Sequence, residues 1–241
     1  KQAKIFNIQN QKSSDYAVLN ADNKYTKNFA KYTKAQVYYF SLTKKVKGCY
    51  LKNNFIYFNN NKILNTDKIK LLGQHNLSNI LAAVTVAKII GVSNTNIAKA
   101  INNFKGVDYR LQYIGKYKHA KIYNDSTSTT PDAGKAALLA VSAKTILITG
   151  GVDKGLDYSQ MAKAIKQKAS LVIILSGSVG KKLLPELKKL KYTNIISNIN
   201  SLSKAWQLAK KNLSDKEKSI LFSPAGASFN MFTNEFDRAR Q

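Results

Sequence analysis

The segment ILITGGVDKG, residues 146–155, has the pattern of a buried strand that runs directly into a glycine-rich turn. Glycines allow the backbone to approach a ligand closely, and Lys154 adds a positive charge suited to a carboxylate or a phosphate. The segment lacks the GxxxxGK[ST] spacing of a nucleotide phosphate loop and the GxGxxG spacing of a dinucleotide fold. It therefore predicts either an anion-binding turn or a tight turn that carries a solvated lysine.

Predicted strands and helices alternate on both sides of this segment. Apolar strands are predicted at 122–123, 146–149, 171–175, 194–196 and 220–222, and helices at about 131–141, 158–169, 180–190 and 201–213. Crossovers of this length favour a Rossmann-like, doubly wound parallel sheet, in which ligands bind beyond the carboxyl ends of the strands. The fold class is therefore α/β, and residues 107–241 are expected to form one domain.

Residues 1–106 follow a different pattern. Short strands at 16–19, 36–40, 49–51, 54–58 and 62–64 are separated by Asn-rich turns, with a possible helix around residues 29–30. A long helix is predicted from His75 to Ile90, and Ser93 caps the next one. This region is interpreted as the C-terminal part of a larger mixed domain.

Two polar motifs follow predicted strands of the second domain. NDSTSTT, residues 124–130, places hydroxyls before a proline and a helix, which fits an N-cap or an anion site at the helix N-terminus. SPAGASFNMF, residues 223–232, is expected to open the final helix, with Ser228 at its start. For that second motif a plain strand-to-helix connection is the alternative.

Composition excludes several classes of protein. The chain has 241 residues, 44% of them apolar, so a sizeable core can form and a disordered tail is excluded. The single cysteine, Cys49, rules out an internal disulfide and favours a cytoplasmic setting. No apolar run approaches the length of a membrane span. Two histidines, His75 and His119, are too few for a His-rich metal site.

The formal charge of +26 suggests nucleic acid as a partner. Only three of the 39 basic residues are arginines, however, and the lysines are spread along the chain beside abundant Asn, Ile and Tyr. A/T-rich coding explains this bias without a nucleic-acid site. A non-enzymatic nucleotide- or RNA-binding module nevertheless remains the alternative from a different class.

Six strings, taken in order, resemble the Mur ligases of peptidoglycan synthesis. They are LNAD (19–22), GQHNLSN (73–79), YR (109–110), NDSTSTT (124–130), GGVDKG (150–155) and SPAGASFNMF (223–232). The last string resembles the branch that adds D-glutamate, and a sister ligase that adds another amino acid is the alternative within the family. The resemblance implies that residues 1–106 are the end of the central ATP-binding domain and residues 107–241 the amino-acid-binding domain. The chain would then lack the N-terminal domain and the phosphate loop, and we expect it to be inactive alone.

The resemblance also implies a reaction and its partners. UDP-N-acetylmuramoyl-L-alanine would be phosphorylated by ATP with Mg²⁺, and D-glutamate would attack the acyl phosphate to form an amide. The enzyme would be a cytoplasmic monomer that binds no nucleic acid and inserts in no membrane.

The family's functional residues map onto nine positions here. Asn76 and Asn79 would contact adenine, Arg110 and Asp125 would hold ATP, and Lys4, carbamylated, would orient Mg²⁺. Thr129, Lys154, Ser228 and Phe229 would bind D-glutamate. The chain departs from the family at Thr127, where Lys is usual, at Tyr109, where His is common, and at Ala239, where Gly is common.

Overall fold

The computed structural model describes residues 2–141 and 144–241, and the chain divides into two compact units between residues 105 and 106. Both units are α/β, each built on one mixed sheet with a run of parallel strands. None of the described helices is both long enough and apolar enough to cross a membrane.

The first unit consists of α1 (Gln2–Gln9), β1 (Tyr16–Asn20), a 3₁₀ helix (Thr26–Tyr32), β2 (Gln36–Ser41), β3 (Gly48–Lys52), β4 (Phe55–Phe58), β5 (Asn61–Asn65), a second 3₁₀ helix (Thr66–Lys68), α2 (Gln74–Ile89) and α3 (Asn94–Asn103). Its strands form a five-stranded sheet in the order β1-β2-β3-β4-β5. Strands β1 to β3 are parallel, and β3, β4 and β5 form antiparallel hairpins. Asn59 and Asn60 both have positive φ angles and join β4 to β5, as expected for a two-residue hairpin turn.

The core of this unit lies between α2 and the sheet. Ile80, Leu81 and Val84 recur on one face of α2 and pack in one cluster with Cys49 and Ile56. Cys49 is fully buried, and burial raises the pKa of its thiol to about 11. Its place in the core makes it a packing residue.

The second unit consists of β6 (Gln112–Tyr117), β7 (Ala120–Asn124), α4 (Pro131–Ala140), β8 (Thr145–Gly150), α5 (Ser159–Lys168), β9 (Ala169–Leu175), α6 (Ser178–Lys189), β10 (Ile195–Ile199), α7 (Leu202–Lys211), β11 (Ser219–Phe222) and α8 (Glu235–Arg240). Its strands form a six-stranded sheet in the order β10-β9-β8-β11-β7-β6. All neighbouring strands are parallel except β6, which pairs antiparallel with β7 at the edge.

Helices cover both faces of this sheet. Leu147, on β8, packs in a cluster with residues of α4, α5 and α6, whereas its neighbours Ile146 and Ile148 pack in a second cluster with α7. Every residue of β8 is buried, which explains why its sequence is a continuous apolar run. The predicted doubly wound architecture is confirmed.

Three elements and the start of the final helix differ from the sequence predictions. Helix α1, the 3₁₀ helix Thr66–Lys68 and strand β6 were not predicted; β6 carries glycine and lysine, and it forms only as the outer arm of a hairpin with β7. The final helix begins at Glu235 rather than within SPAGASFNMF. Asn234 ends the preceding irregular segment because its side chain accepts hydrogen bonds from the backbone N–H groups of Phe236 and Asp237.

Candidate functional site

Three loops meet at the carboxyl edge of the second unit's sheet, where they follow β7, β8 and β11. Val152 and Ala227 exchange backbone hydrogen bonds of 2.8 Å in both directions, which joins the loops after β8 and β11. The backbone N–H of Ala225 donates to the carbonyl of Ser128 at 3.0 Å, which joins the loops after β11 and β7. The three predicted motifs of this domain therefore form one continuous edge.

Lys154 and Thr129 are brought together across this edge. The Lys154 Nζ donates to the Thr129 Oγ1 at 3.1 Å, although the two residues lie on different loops. Lys154 is exposed and Thr129 is half-buried, so both can also contact a solute. Thr130 accepts from the backbone N–H of Ala133 and caps α4, which leaves the Thr129 hydroxyl free of that task.

The glycines of the turn allow the loops to come this close. Gly151 has a φ of 132°, and a Cβ at this position would lie less than 3.0 Å from the Ala227 carbonyl oxygen. Its own carbonyl accepts from the backbone N–H of Val179 at the first turn of α6. The second glycine of the GGVDKG run is therefore required by the packing of the edge.

Asp125 is buried at this edge, and its carboxylate links the turn before β6 to the loop after β11. One carboxylate oxygen accepts from the backbone N–H of Leu111 at 2.9 Å, and the other accepts from the Ser223 hydroxyl at 2.8 Å. Burial raises the pKa of Asp125 to about 6, against the lowering effects of these hydrogen bonds and of the Arg110 charge. A role toward ATP, predicted above, would be additional to this bracing role.

The raised pKa of Asp125 predicts a specific pH dependence. The folded value of about 6 exceeds the unfolded value of about 3.9, so the folded state binds more protons between these limits. The free energy of unfolding should therefore fall as pH rises from about 4 to about 6, by up to about 3 kcal/mol from this group. Urea unfolding of the protein and of Asp125→Asn, at several pH values, measures the difference.

The control for this measurement is Asp132→Asn, which removes an exposed carboxylate on the neighbouring helix α4. Only Asp125→Asn should flatten the fall in stability between pH 4 and pH 6. A pH profile identical in the wild type and Asp125→Asn would contradict the assignment of the raised pKa to Asp125.

Ser228 and Phe229 follow the bridge between the β8 and β11 loops. The expectation that Ser228 begins the final helix is wrong, because its carbonyl accepts from the backbone N–H groups of Met231 and Phe232 and closes an isolated turn. Ser228 is buried at this edge, whereas Phe229 is 72% exposed. Their predicted contacts with D-glutamate remain predictions.

The remaining predicted residues are divided between the two units. Arg110 is exposed in the second unit, close enough to Asp125 to lower its pKa. Asn76 and Asn79 lie in the first turns of α2, and the side-chain amide of Asn76 donates to the carbonyl of Leu72 at 2.8 Å. Lys4 is exposed on α1 of the first unit. The structure thus brings together Arg110, Asp125, Thr129, Lys154 and Ser228 within one unit.

Magnesium was expected through a carbamate on Lys4. Within residues 2–141 and 144–241, no three or more His, Cys, Asp or Glu side chains form a group that could hold a metal ion. Magnesium is usually held by one or two carboxylates together with substrate phosphates and water, so a carbamate on Lys4 stays a prediction.

Arg238 is a residue of this edge for which the sequence analysis predicted no role. It is 1% exposed, and its guanidinium contacts Ser126 and Gly226 in the loops after β7 and β11. In the sequence it is one of three arginines among many lysines, on a short polar helix. In a chain with so few arginines, an arginine indicates a position where lysine cannot serve. Lysine lacks the fixed fork of hydrogen-bond donors that a guanidinium provides.

Comparison with known proteins matches both units to one family. A family model of the Mur ligase middle domain matches residues 1–87, and a model of the Mur ligase glutamate ligase domain matches residues 109–226. The chain belongs to the Mur ligase family. Two consecutive domains of this chain, rather than one short motif, match the Mur ligase family.

Individual Mur ligases agree with this assignment. A UDP-N-acetylmuramoylalanine–D-glutamate ligase of Oenococcus oeni is 39% identical over 96% of this chain and 52% of its own length. The enzyme of the same name from Caldanaerobacter subterraneus is 35% identical over 97% of this chain and 52% of its own length. This Mur ligase chain thus spans about half the length of the curated relatives that it matches.

A solved Mur ligase structure supports the fold. The MurF ligase of Thermotoga maritima, in complex with ADP, has a TM-score of 0.66 to this chain at 16% sequence identity. The match covers 93% of this chain and 53% of that one. At such low identity the likeness concerns the arrangement of helices and strands.

Proposed function

We propose that this chain is the ATP- and amino-acid-binding part of a ligase that adds D-glutamate to UDP-N-acetylmuramoyl-L-alanine. ATP would transfer its γ-phosphoryl group to the alanyl carboxylate, and ADP would leave. The amine of D-glutamate would attack the acyl carbon, lose a proton, and expel phosphate to leave an amide. Residues 1–106 would belong to the central domain and residues 107–241 to the amino-acid-binding domain.

The observation that carries this proposal is the 3.1 Å contact between Lys154 Nζ and Thr129 Oγ1 at the carboxyl edge of the sheet. A lysine and a hydroxyl from different loops, beside the N-terminus of α4, suit the carboxylates of an amino acid. Amide formation from an acyl phosphate requires the protein to hold the amine close to the activated acyl carbon, and a site that binds the carboxylates of the amino acid positions its amine. The names of the curated relatives support D-glutamate as that amino acid.

ATP is supported by the family and by the ADP complex of the MurF relative. Asn76, Asn79, Arg110 and Asp125 are the residues proposed to receive it, and Asp125 would also keep the Leu111 turn in place. Lys4 is proposed to act as a carbamate in the first unit. We also propose that the enzyme is a cytoplasmic monomer in which Cys49 stays reduced.

The experiment that tests this function is phosphate release by the protein at its natural length, with ATP, Mg²⁺ and UDP-N-acetylmuramoyl-L-alanine. Release should depend on D-glutamate and should be at least about a hundredfold slower with L-glutamate, L-lysine or D-alanine, because the site must place one amine and two carboxylates at once. Release that depends on another amino acid would favour a sister ligase. RNA binding that weakens steeply with salt, without amino-acid-dependent release, would favour the nucleic-acid module.

A further inference from the structure

Arg238 connects two loops that are far apart in the sequence. Its Nε donates to the Ser126 Oγ at 3.1 Å, its Nη2 to the Ser126 carbonyl at 2.6 Å, and its Nη1 to the Gly226 carbonyl at 3.1 Å. One guanidinium fork therefore spans the loop after β7 and the loop after β11. Lysine, with a single point of donation, cannot span the same acceptors at once.

Two further hydrogen bonds hold α8 against the last residue of β7 and the loop that follows it. The Ser126 Oγ donates to the Glu235 carbonyl at 2.8 Å, and the Asn124 side-chain amide donates to the Ala239 carbonyl at 2.9 Å. The helix that carries Arg238 is thus attached at both of its ends. Because the helix cannot easily move away, the guanidinium fixes the separation of the two loops.

The electrostatic setting of Arg238 is unusual for a residue whose only task is stability. The side chain is almost completely buried, and its direct acceptors are two carbonyls and a hydroxyl rather than a carboxylate. Burial lowers the pKa of Arg238 to about 10, so the group is still charged at neutral pH. An apolar side chain would avoid the cost of burying this charge, which implies that the fork itself is needed.

The two loops joined by Arg238 carry the proposed amino-acid site. Ser126 lies in the loop that contains Thr129, the partner of Lys154. Gly226 lies in the loop that contains Ser228, beside the bridge to Val152. A change in the separation of the two loops would move Thr129 relative to Ser228.

We propose that Arg238 is a positioning residue that sets the distance between the two halves of the amino-acid site without touching the substrate. This inference rests on the proposed function for the identity of the substrate. The pairing of the loops by Arg238 is independent of that identity and can be tested separately.

The kinetic test compares Arg238→Lys and Arg238→Met with wild type in the protein at its natural length. Arg238→Lys keeps a cation that reaches only part of the acceptor set, so the KM for D-glutamate should rise about tenfold; Arg238→Met should raise it further. The KM for ATP should change by less than about twofold, because the loss concerns the positioning of one substrate. Arg240→Lys, an exposed arginine on the same helix, is the matched control and should behave as wild type.

The structural test is amide hydrogen exchange, which needs no activity. In Arg238→Lys the hydrogen-bonded amides of Ser126, Ser128, Ala225 and Ala227 should exchange at least about tenfold faster than in wild type, whereas Arg240→Lys should leave them unchanged. Unchanged exchange would overturn the positioning role even if the Met variant fails to fold. So would an active Arg238→Lys enzyme with wild-type KM for D-glutamate, or one with equal increases for D-glutamate and ATP. Wild-type protein without D-glutamate-dependent phosphate release would refute the proposed function instead, and the exchange result would still decide the role of Arg238.

Discussion

Lys154→Ala is expected to raise the KM for D-glutamate about ten- to a hundredfold in the protein at its natural length, with the KM for ATP nearly unchanged. A charge-assisted contact to a substrate carboxylate contributes about 1.5–3 kcal/mol, which corresponds to this range. Lys154 is exposed on the loop after β8 and reaches the Thr129 hydroxyl, so it is placed to receive such a carboxylate. Steady-state phosphate release at varied D-glutamate and varied ATP separates the two effects.

Lys163→Ala is the matched control for this change. Lys163 is an exposed lysine of α5 in the same unit, so its removal alters the net charge equally. Both KM values should stay within about twofold of wild type in this control, since an exposed charge outside the site is screened by solvent. Equal increases of the D-glutamate KM in both variants would show that net charge, rather than the Lys154 contact, determines the affinity.

Gly151→Ala is expected to destabilise the second unit by more than about 2 kcal/mol. The φ of 132° is strained for any residue with a Cβ, at a cost of about 1–3 kcal/mol, and the new Cβ would press on the Ala227 carbonyl oxygen. Relief of this clash would pull apart the Val152–Ala227 bridge that joins the loops after β8 and β11. The single tryptophan of the chain, Trp206, lies in the second unit, so its fluorescence during urea unfolding reports on that unit.

Gly180→Ala is the matched substitution. Gly180 lies inside α6, where an added Cβ would meet the Ile174 side chain at an ordinary 3.5 Å. Alanine has the higher helix propensity, so this variant should be unchanged or more stable by about 0.5–1 kcal/mol. If the Gly151 variant unfolds at the same urea concentration as the Gly180 variant, the close approach of the two loops is not required.

The sheet of the second unit was predictable because it depends on local pattern. Strand β8 is buried on both faces, and such strands are continuous apolar runs that the sequence displays directly. The helices between the strands repeat their apolar residues with helical spacing. Strand β6 escaped prediction because its hairpin with β7, rather than its own composition, makes it a strand.

The candidate site was predictable only in part. Its motifs follow strands whose carboxyl ends share one edge, so the sequence alone places Asp125, Thr129 and Lys154 near one another. It also suggests Ser228, although the turn that begins there was mistaken for a helix start. Irregular loops have no periodicity, and their geometry depends on which neighbours they meet.

What the sequence by itself determined is therefore the alternation of strands and helices, the Mur ligase family and the edge at which the motifs gather. These depend on periodicity and on ordered strings that are read along the chain. Only the tertiary structure decided that Asp125 braces Leu111 and Ser223, and that Arg238 joins Ser126 to Gly226. The physical reason is that hydrogen bonds between polar groups of different loops, such as Arg238 and Ser126, leave no periodic pattern in the sequence, because burial selects the partners only after the sheet has formed.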